Sequence, residues 1–270
     1  MHILFLFINL VYTQSWQRVE TKHFEIYVEG NWTFPLAAME VEKIYSILKM
    51  NLSPFAPWMI KENTKIYVFK NYDSYIKSPF KPPLWSKGLC LHKTRTVVVY
   101  YRKNIEDLGS TIIHELTHLY YEDFFIKKLK GPPIWLNEGL AVYMESLYLG
   151  DKSPWKISLK NAQKENFMSF ADFIKADPTN IKSDSDIAWW YLQAYGIVRY
   201  LYTTFGKASF YRFSTDISNG KDVLKALWDI YRISDFEIFE KKWQDWLLRS
   251  KDEKEFEFKP FKAVEFKRIS

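Results

Sequence analysis

The chain has 270 residues, a formal net charge of +6, 47% hydrophobic and 19% aromatic residues, and one cysteine. That much apolar surface suffices for an enzyme-sized core and excludes an intrinsically disordered chain. A single cysteine excludes an intramolecular disulfide and a Cys-rich structural zinc site. The 38 Lys and Arg residues form no arginine-rich stripe, so the basic balance points to no nucleic-acid partner.

Taken in chain order, Ile3–Val11 is a mostly apolar run followed by Thr13-Gln14-Ser15. Its length suits a signal-peptide core and is too short for a transmembrane helix. Residues 1–15 are therefore read as a leader, with the mature chain starting near Trp16 and exported to the periplasm, cell surface or medium. The alternative is a buried first strand, since no Lys or Arg precedes the run. No stable membrane span is expected once the leader is removed.

Residues 16–103 read as an N-terminal α/β subdomain. Strands are expected at about 22–28, 64–69 and 94–101, with a helix near 36–50, and Pro54, Pro57, Pro79, Pro82 and Pro83 punctuate the loops. His23 and His92 are read as surface or packing residues.

Residues 104–250 read as a mostly helical subdomain. From Asn104 to about Lys128, Ile105, Leu108, Ile112, Ile113, Leu116, Leu119 and Tyr120 recur at three- and four-residue spacing, and Gly131-Pro132-Pro133 ends the helix. A second helix runs from Ile134 to about Leu149. The first carries His114-Glu115-x-x-His118. Residues four apart lie on one helix face, so two imidazoles aim at a single point, and Zn²⁺ accepts such nitrogens. Glu115 can reach water at that point without being a ligand, which is the general-base position. Antiparallel packing of the two helices would return Glu138 as third ligand and leave a fourth position open, the mark of a catalytic site. Glu122, Asp123 and Glu145 are candidates to orient the imidazoles. After a polar break at Asp177–Asp186 comes an apolar helix to Phe205-Gly206, then helices near 220–230 and 235–249. Residues 251–270 form a tail of mixed charge with alternating phenylalanines.

His114-Glu115-x-x-His118 with Asn137-Glu138-Gly139-Leu140-Ala141 resembles the gluzincin metallopeptidases, closest to peptidase MA-like domains and more distantly similar to thermolysin and the aminopeptidase N family. Thr21–Val28 resembles the opening strand of these domains. Trp85–Cys90, followed by Thr94–Tyr101, resembles their edge strand, and Trp189–Gly196 resembles the helix carrying their active-site tyrosine. The resemblance implies an α+β, thermolysin-like zincin fold: an N-terminal mixed sheet with helices, then a mostly helical half, with the zinc cleft between them. It implies one Zn²⁺ on His114, His118 and Glu138, with Glu115 as base. Tyr191 would be the oxyanion donor, with Tyr195 in reserve, and Gly88, Leu89 and Cys90 would form the edge that holds a peptide or protein substrate.

Two departures stand out. Nineteen residues separate His118 from Glu138, one more than is usual in the aminopeptidase relatives. The Gly-x-Met-Glu-Asn segment that holds a substrate's free amino terminus in those relatives is absent ahead of His114. The expectation is therefore a secreted endopeptidase. The alternatives are a zinc-retaining peptide-binding or assembly factor and an amidase acting on cell-wall amide bonds.

Overall fold

The computed structural model describes residues 16–30, 34–126, 128 and 131–250; the expected leader (1–15) and charged tail (251–270) lie outside the described residues. Among the described residues the strands are β1 (Trp16–Glu20), β2 (Phe24–Glu29), β3 (Thr64–Phe69), β4 (Gly88–Leu91) and β5 (Thr96–Tyr100). They form one sheet in the order β1-β2-β3-β5-β4. β2, β3 and β5 run parallel, whereas β1 and β4 pair antiparallel at the two edges. The sequence reflects this: central Val97-Val98-Val99 is buried on both faces, as β-branched strands in covered sheets are.

The segment Trp85–Tyr101, read as an edge strand, holds a hairpin of β4 and β5. His92–Thr94 form a 3₁₀ turn and Arg95 closes it in the left-handed region, at φ 49°. β1 was not expected at all. It is a short edge strand with two charged side chains among its five residues, none of them fully buried.

One sheet face packs against α1 (Phe34–Leu52) and α3 (Ile105–Ile126) through Ile26, Val28, Ile44, Leu48, Ile66, Ile112 and Leu116. On the other face Phe69, Tyr75 and Val98 form a smaller cluster covered by Trp16, Phe80 and Leu89, with Tyr75 supplied by α2 (Tyr72–Ile76). The second half of the chain is helical. It holds α4 (Ile134–Leu149), α5 (Pro154–Asn161), α6 (Phe170–Phe173), α7 (Asp184–Ser218), α8 (Val223–Tyr231) and α9 (Phe236–Ser250). Within α7, Gly206 takes a non-helical conformation (φ 81°, ψ 163°) that ends a first helix where expected, and a second helix runs on across the kink to Ser218. The α+β expectation, a mixed sheet followed by a mostly helical half, holds. No helix among the described residues is long and apolar enough to cross a membrane.

α3 and α4 set up the site. Asn104 caps α3 by accepting from the Asp107 amide (2.8 Å), and Glu106 and Asp107 favour the positive end of the helix dipole. The contacts between the two helices run in opposite senses. Ser110 meets Glu145 (2.9 Å), whereas Glu122, three turns further on, meets Asn137 (2.6 Å). The pair is therefore antiparallel. α7 lies on the other side of α4 at backbone distance: a Cβ at Gly139 would stand 2.5 Å from the Ala194 carbonyl oxygen.

Candidate metal centre

Antiparallel packing brings Glu138 back over the two histidines. Glu138 Oε2 lies 3.6 Å from His114 Nε2 and 3.7 Å from His118 Nε2, and the imidazole rings stand 4.8 Å apart at 80°. The three ligating atoms all fall within 4.8 Å of one another. Two donors on a tetrahedral zinc ion, with bonds of about 2.0–2.1 Å, would sit roughly 3.3 Å apart. The two Glu138–histidine spacings therefore need to close by only a few tenths of an ångström. The donor set of two imidazoles and one carboxylate fits zinc in kind as well.

His114 is oriented from behind. His114 Nδ1 donates to Glu145 Oε2 (3.3 Å), which fixes the tautomer that leaves Nε2 free for a metal. Glu145 is held in turn by Ser110 Oγ (2.9 Å) and the Trp155 indole N–H (3.2 Å). Among the three carboxylates the sequence left open, Glu145 thus serves His114. Asp123 is turned away and accepts from the Trp58 indole (2.8 Å). Glu122 stands behind His118, its Oε1 3.9 Å from Nδ1.

With no cation present, burial would depress the His114 pKa, but hydrogen bonds to Glu138 and Glu145, and their charges, raise it to about 10. Glu138 and Glu145 are raised by burial and lowered more by the histidines, so both end below the usual carboxylate range.

Glu115 points to the opposite side from Glu145, against β4. A Cβ at Gly88 would come within 2.6 Å of Glu115 Cγ and 2.7 Å of Oε1, so only glycine lets the strand lie on this side chain. Burial pushes the Glu115 pKa up; the charges of His118 and His114 oppose this, and those of Glu138 and Glu122 reinforce it.

β4 pairs with β5 on one side, and among the described residues no strand pairs with its other side. The three residues expected to hold substrate divide by face. Gly88 and Cys90 face α3, whereas Leu89 turns its side chain to the far face, beside Phe69 and Val98. Burial raises the Cys90 thiol pKa, with the charges of Glu115, Glu122 and Glu138 adding to it.

The two tyrosines also divide. Tyr191 is partly buried. Burial raises its phenol pKa, and the charges of Glu138 and Glu115 raise it further, which puts the phenol in the field of the centre. Tyr195, one turn on, is fully buried, and its hydroxyl meets Ser146 Oγ at 3.0 Å inside the α4–α7 packing. It belongs to the core and is no reserve donor.

Sequence reasoning did not single out Trp155, the contact of Asn137 with Glu122 or the pairing of His92 with Glu122 (2.8 Å). Only Glu122 carried a signal, since it lies four residues after His118 on the same helix face. His23 packs away from the site, stacked on Tyr45 (3.5 Å) and paired with Glu42 (2.7 Å).

Among solved structures, yeast LTA4 hydrolase in complex with bestatin is similar at 16% identity and a TM-score of 0.43, over 86% of this chain and 39% of that one. This chain thus corresponds to less than half of that protein's length. No curated protein matches. A family model described as the Peptidase MA superfamily matches residues 50–249, which include β3 to α9 with His114, His118 and Glu138. With more than half of its length matched, the chain belongs to the Peptidase MA superfamily.

Proposed function

We propose that the chain is a zinc-dependent endopeptidase acting on peptide or protein substrates. The observation that carries this reading is the convergence of His114, His118 and Glu138 within 4.8 Å, with Glu115 beside them under an unpaired strand edge. The two imidazoles and the Glu138 carboxylate would hold the ion. The chemistry a bound zinc ion supplies is Lewis acidity, which polarises the scissile carbonyl and acidifies water towards a pKa of ~7.

The remaining work falls to the protein. The outer edge of β4 offers backbone N–H and C=O groups to an extended peptide, fixing its register. Glu115 takes a proton from the attacking water as the water oxygen bonds to the carbonyl carbon. It then passes that proton to the nitrogen as the C–N bond breaks, an acid–base role worth about 10²–10⁴-fold. Its raised pKa brings proton uptake and release closer to neutral pH. The Tyr191 O–H donates to the carbonyl oxygen as negative charge develops there. Because its pKa is raised, the phenol stays protonated and able to donate across the working range.

The absence of a Gly-x-Met-Glu-Asn segment ahead of His114 supports endopeptidase over aminopeptidase action. The apolar run Ile3–Val11 supports export, which N-terminal sequencing of the mature product would check. The central experiment measures zinc content and digestion of a mixed peptide library by the intact chain and by Glu115→Gln. The expected result is one zinc per chain in both proteins, cleavage at internal bonds by the first, and at least a 100-fold loss in the second. A chain that binds no zinc, or binds it and cleaves nothing, overturns the reading.

A further inference from the structure

Behind His118 lies a polar cluster that the proposed mechanism does not use. Glu122, one turn beyond His118 on α3, is shared among three elements. Its Oε1 accepts from Asn137 Nδ2 (2.6 Å), and Asn137 immediately precedes the third ligand on α4. The same oxygen lies 3.9 Å from His118 Nδ1. Its Oε2 pairs with His92 Nε2 (2.8 Å), and His92 opens the turn directly after β4. His118 Nδ1 is buried and has no hydrogen-bond partner. Glu122, 3.9 Å from it and paired with both Asn137 and His92, is the carboxylate on which the three residues converge.

β4 needs such an anchor. It is four residues long, pairs on one side only among the described residues, and turns back to β5 through the left-handed Arg95. Its ladder with β5 sets its register in the sheet. The ladder does not set its distance from α3, where Gly88 must meet Glu115. The His92–Glu122 pair spans that gap at the other end of the strand.

We propose that Glu122 and His92 are positioning residues: Glu122 holds His118 and the Asn137–Glu138 segment for the metal, and His92, through Glu122, holds the substrate strand β4 at its working distance from the centre. This inference rests on the zinc-peptidase reading and extends it, because it makes one carboxylate the link between metal site and peptide site. Cys90 Sγ, 3.7 Å from His92 Nε2, packs on the same corner.

The test uses full-length protein and three variants, Glu122→Ala, His92→Leu and His92→Gln, each checked for folding by circular dichroism and thermal melting. Zinc affinity is measured by competition with a chromophoric chelator, a readout that needs no turnover. Kinetics use a fluorogenic peptide built from a library member that the intact chain cleaves. Glu122→Ala is expected to raise the zinc Kd about 10–100-fold, the usual effect of losing a partner behind a ligand. His92→Leu is expected to leave the zinc Kd within about threefold and to raise KM about tenfold, with a smaller change in kcat, as loss of substrate positioning does. His92→Gln, whose amide can still donate to Glu122, is expected to recover most of that KM. Unchanged zinc affinity in Glu122→Ala overturns the metal half of the inference, and unchanged KM in His92→Leu, or no recovery in His92→Gln, overturns the strand half. Both results are read against an intact chain that binds zinc and cleaves, so they leave the peptidase reading standing. An intact chain without zinc overturns the reading and this inference with it.

Discussion

Gly88 lies directly on the side chain of Glu115: a single added methyl group would stand 2.6 Å from Cγ and 2.7 Å from a carboxylate oxygen. An added methyl must therefore displace either the carboxylate or β4. Misplacement of about 1 Å at a reacting group can cost on the order of 100-fold. Gly88→Ala is therefore expected to lower kcat/KM about 10–100-fold while zinc content and melting temperature change little. Peptide kinetics beside metal analysis of the same preparation check this, and wild-type activity in the variant would remove Gly88 from the site.

The two tyrosines of α7 should separate function from stability. Tyr191→Phe removes the donor to the developing oxyanion and is expected to lower kcat about 10²–10³-fold, with the melting temperature nearly unchanged. Tyr195→Phe leaves the Ser146 hydroxyl unpaired in the core and is expected to cost about 1–3 kcal/mol of stability with normal kcat. Denaturant melts and steady-state kinetics on both variants decide it. The reverse pattern would transfer the oxyanion role to Tyr195.

Without metal, the imidazolium of His114 is stabilised by Glu138 and Glu145, and its pKa is raised to about 10. A group whose pKa is higher folded than unfolded stabilises the fold fully below its unfolded value, about 6.5 for histidine. That contribution is lost as pH rises from there through about 10. Metal-free protein should therefore melt at a lower temperature at pH 9.5 than at pH 6.5, and His114→Gln should flatten the difference. Zinc uptake at pH 7 must expel this proton. Calorimetry in buffers of different ionisation enthalpy should show release of about one proton per zinc bound. No proton release would mean that His114 is neutral in the metal-free chain.

Gly139 tests the helix packing behind the third ligand. Its hydrogen faces the Ala194 carbonyl oxygen, and a Cβ there would sit at 2.5 Å from backbone, which cannot turn aside as a flexible side chain could. Gly139→Ala is expected to destabilise the protein by about 1–3 kcal/mol through overpacking, despite alanine's better helix propensity. It should also weaken zinc binding, since Glu138 is the preceding residue. A stabilised variant would show that α4 and α7 have room between them.

What could be read from the sequence follows physical strength. α3 and α4 were legible because an apolar 3.6-residue period, a Gly-Pro-Pro break and metal-spaced ligands all agree along Ile105–Leu149. The central strands Thr64–Phe69 and Thr96–Tyr100 were legible from β-branched and aromatic runs. β1 was not: Trp16-Gln-Arg-Val-Glu20 is short, partly charged and defined by its partner, β2. The β4–β5 hairpin was hidden because its turn ends on Arg95, where local signals would favour glycine or asparagine. At the site, the ligands and the base were visible as residue types at fixed spacing. The pairing of His114 with Glu145, 31 residues away, was not, because several carboxylates lay within reach until two helices had been packed.

The contact of Gly139 with Ala194 has a mechanical consequence. It fastens α4, which bears Glu138, to α7, which bears Tyr191, whereas His114, Glu115 and His118 lie on α3. A metal ion held by all three ligands would be a crosslink between α3 and α4, and stripping it should loosen the seam between them before either helix unfolds. Amide exchange is then expected to speed up first at the facing ends of α3 and α4, with the sheet interior still protected.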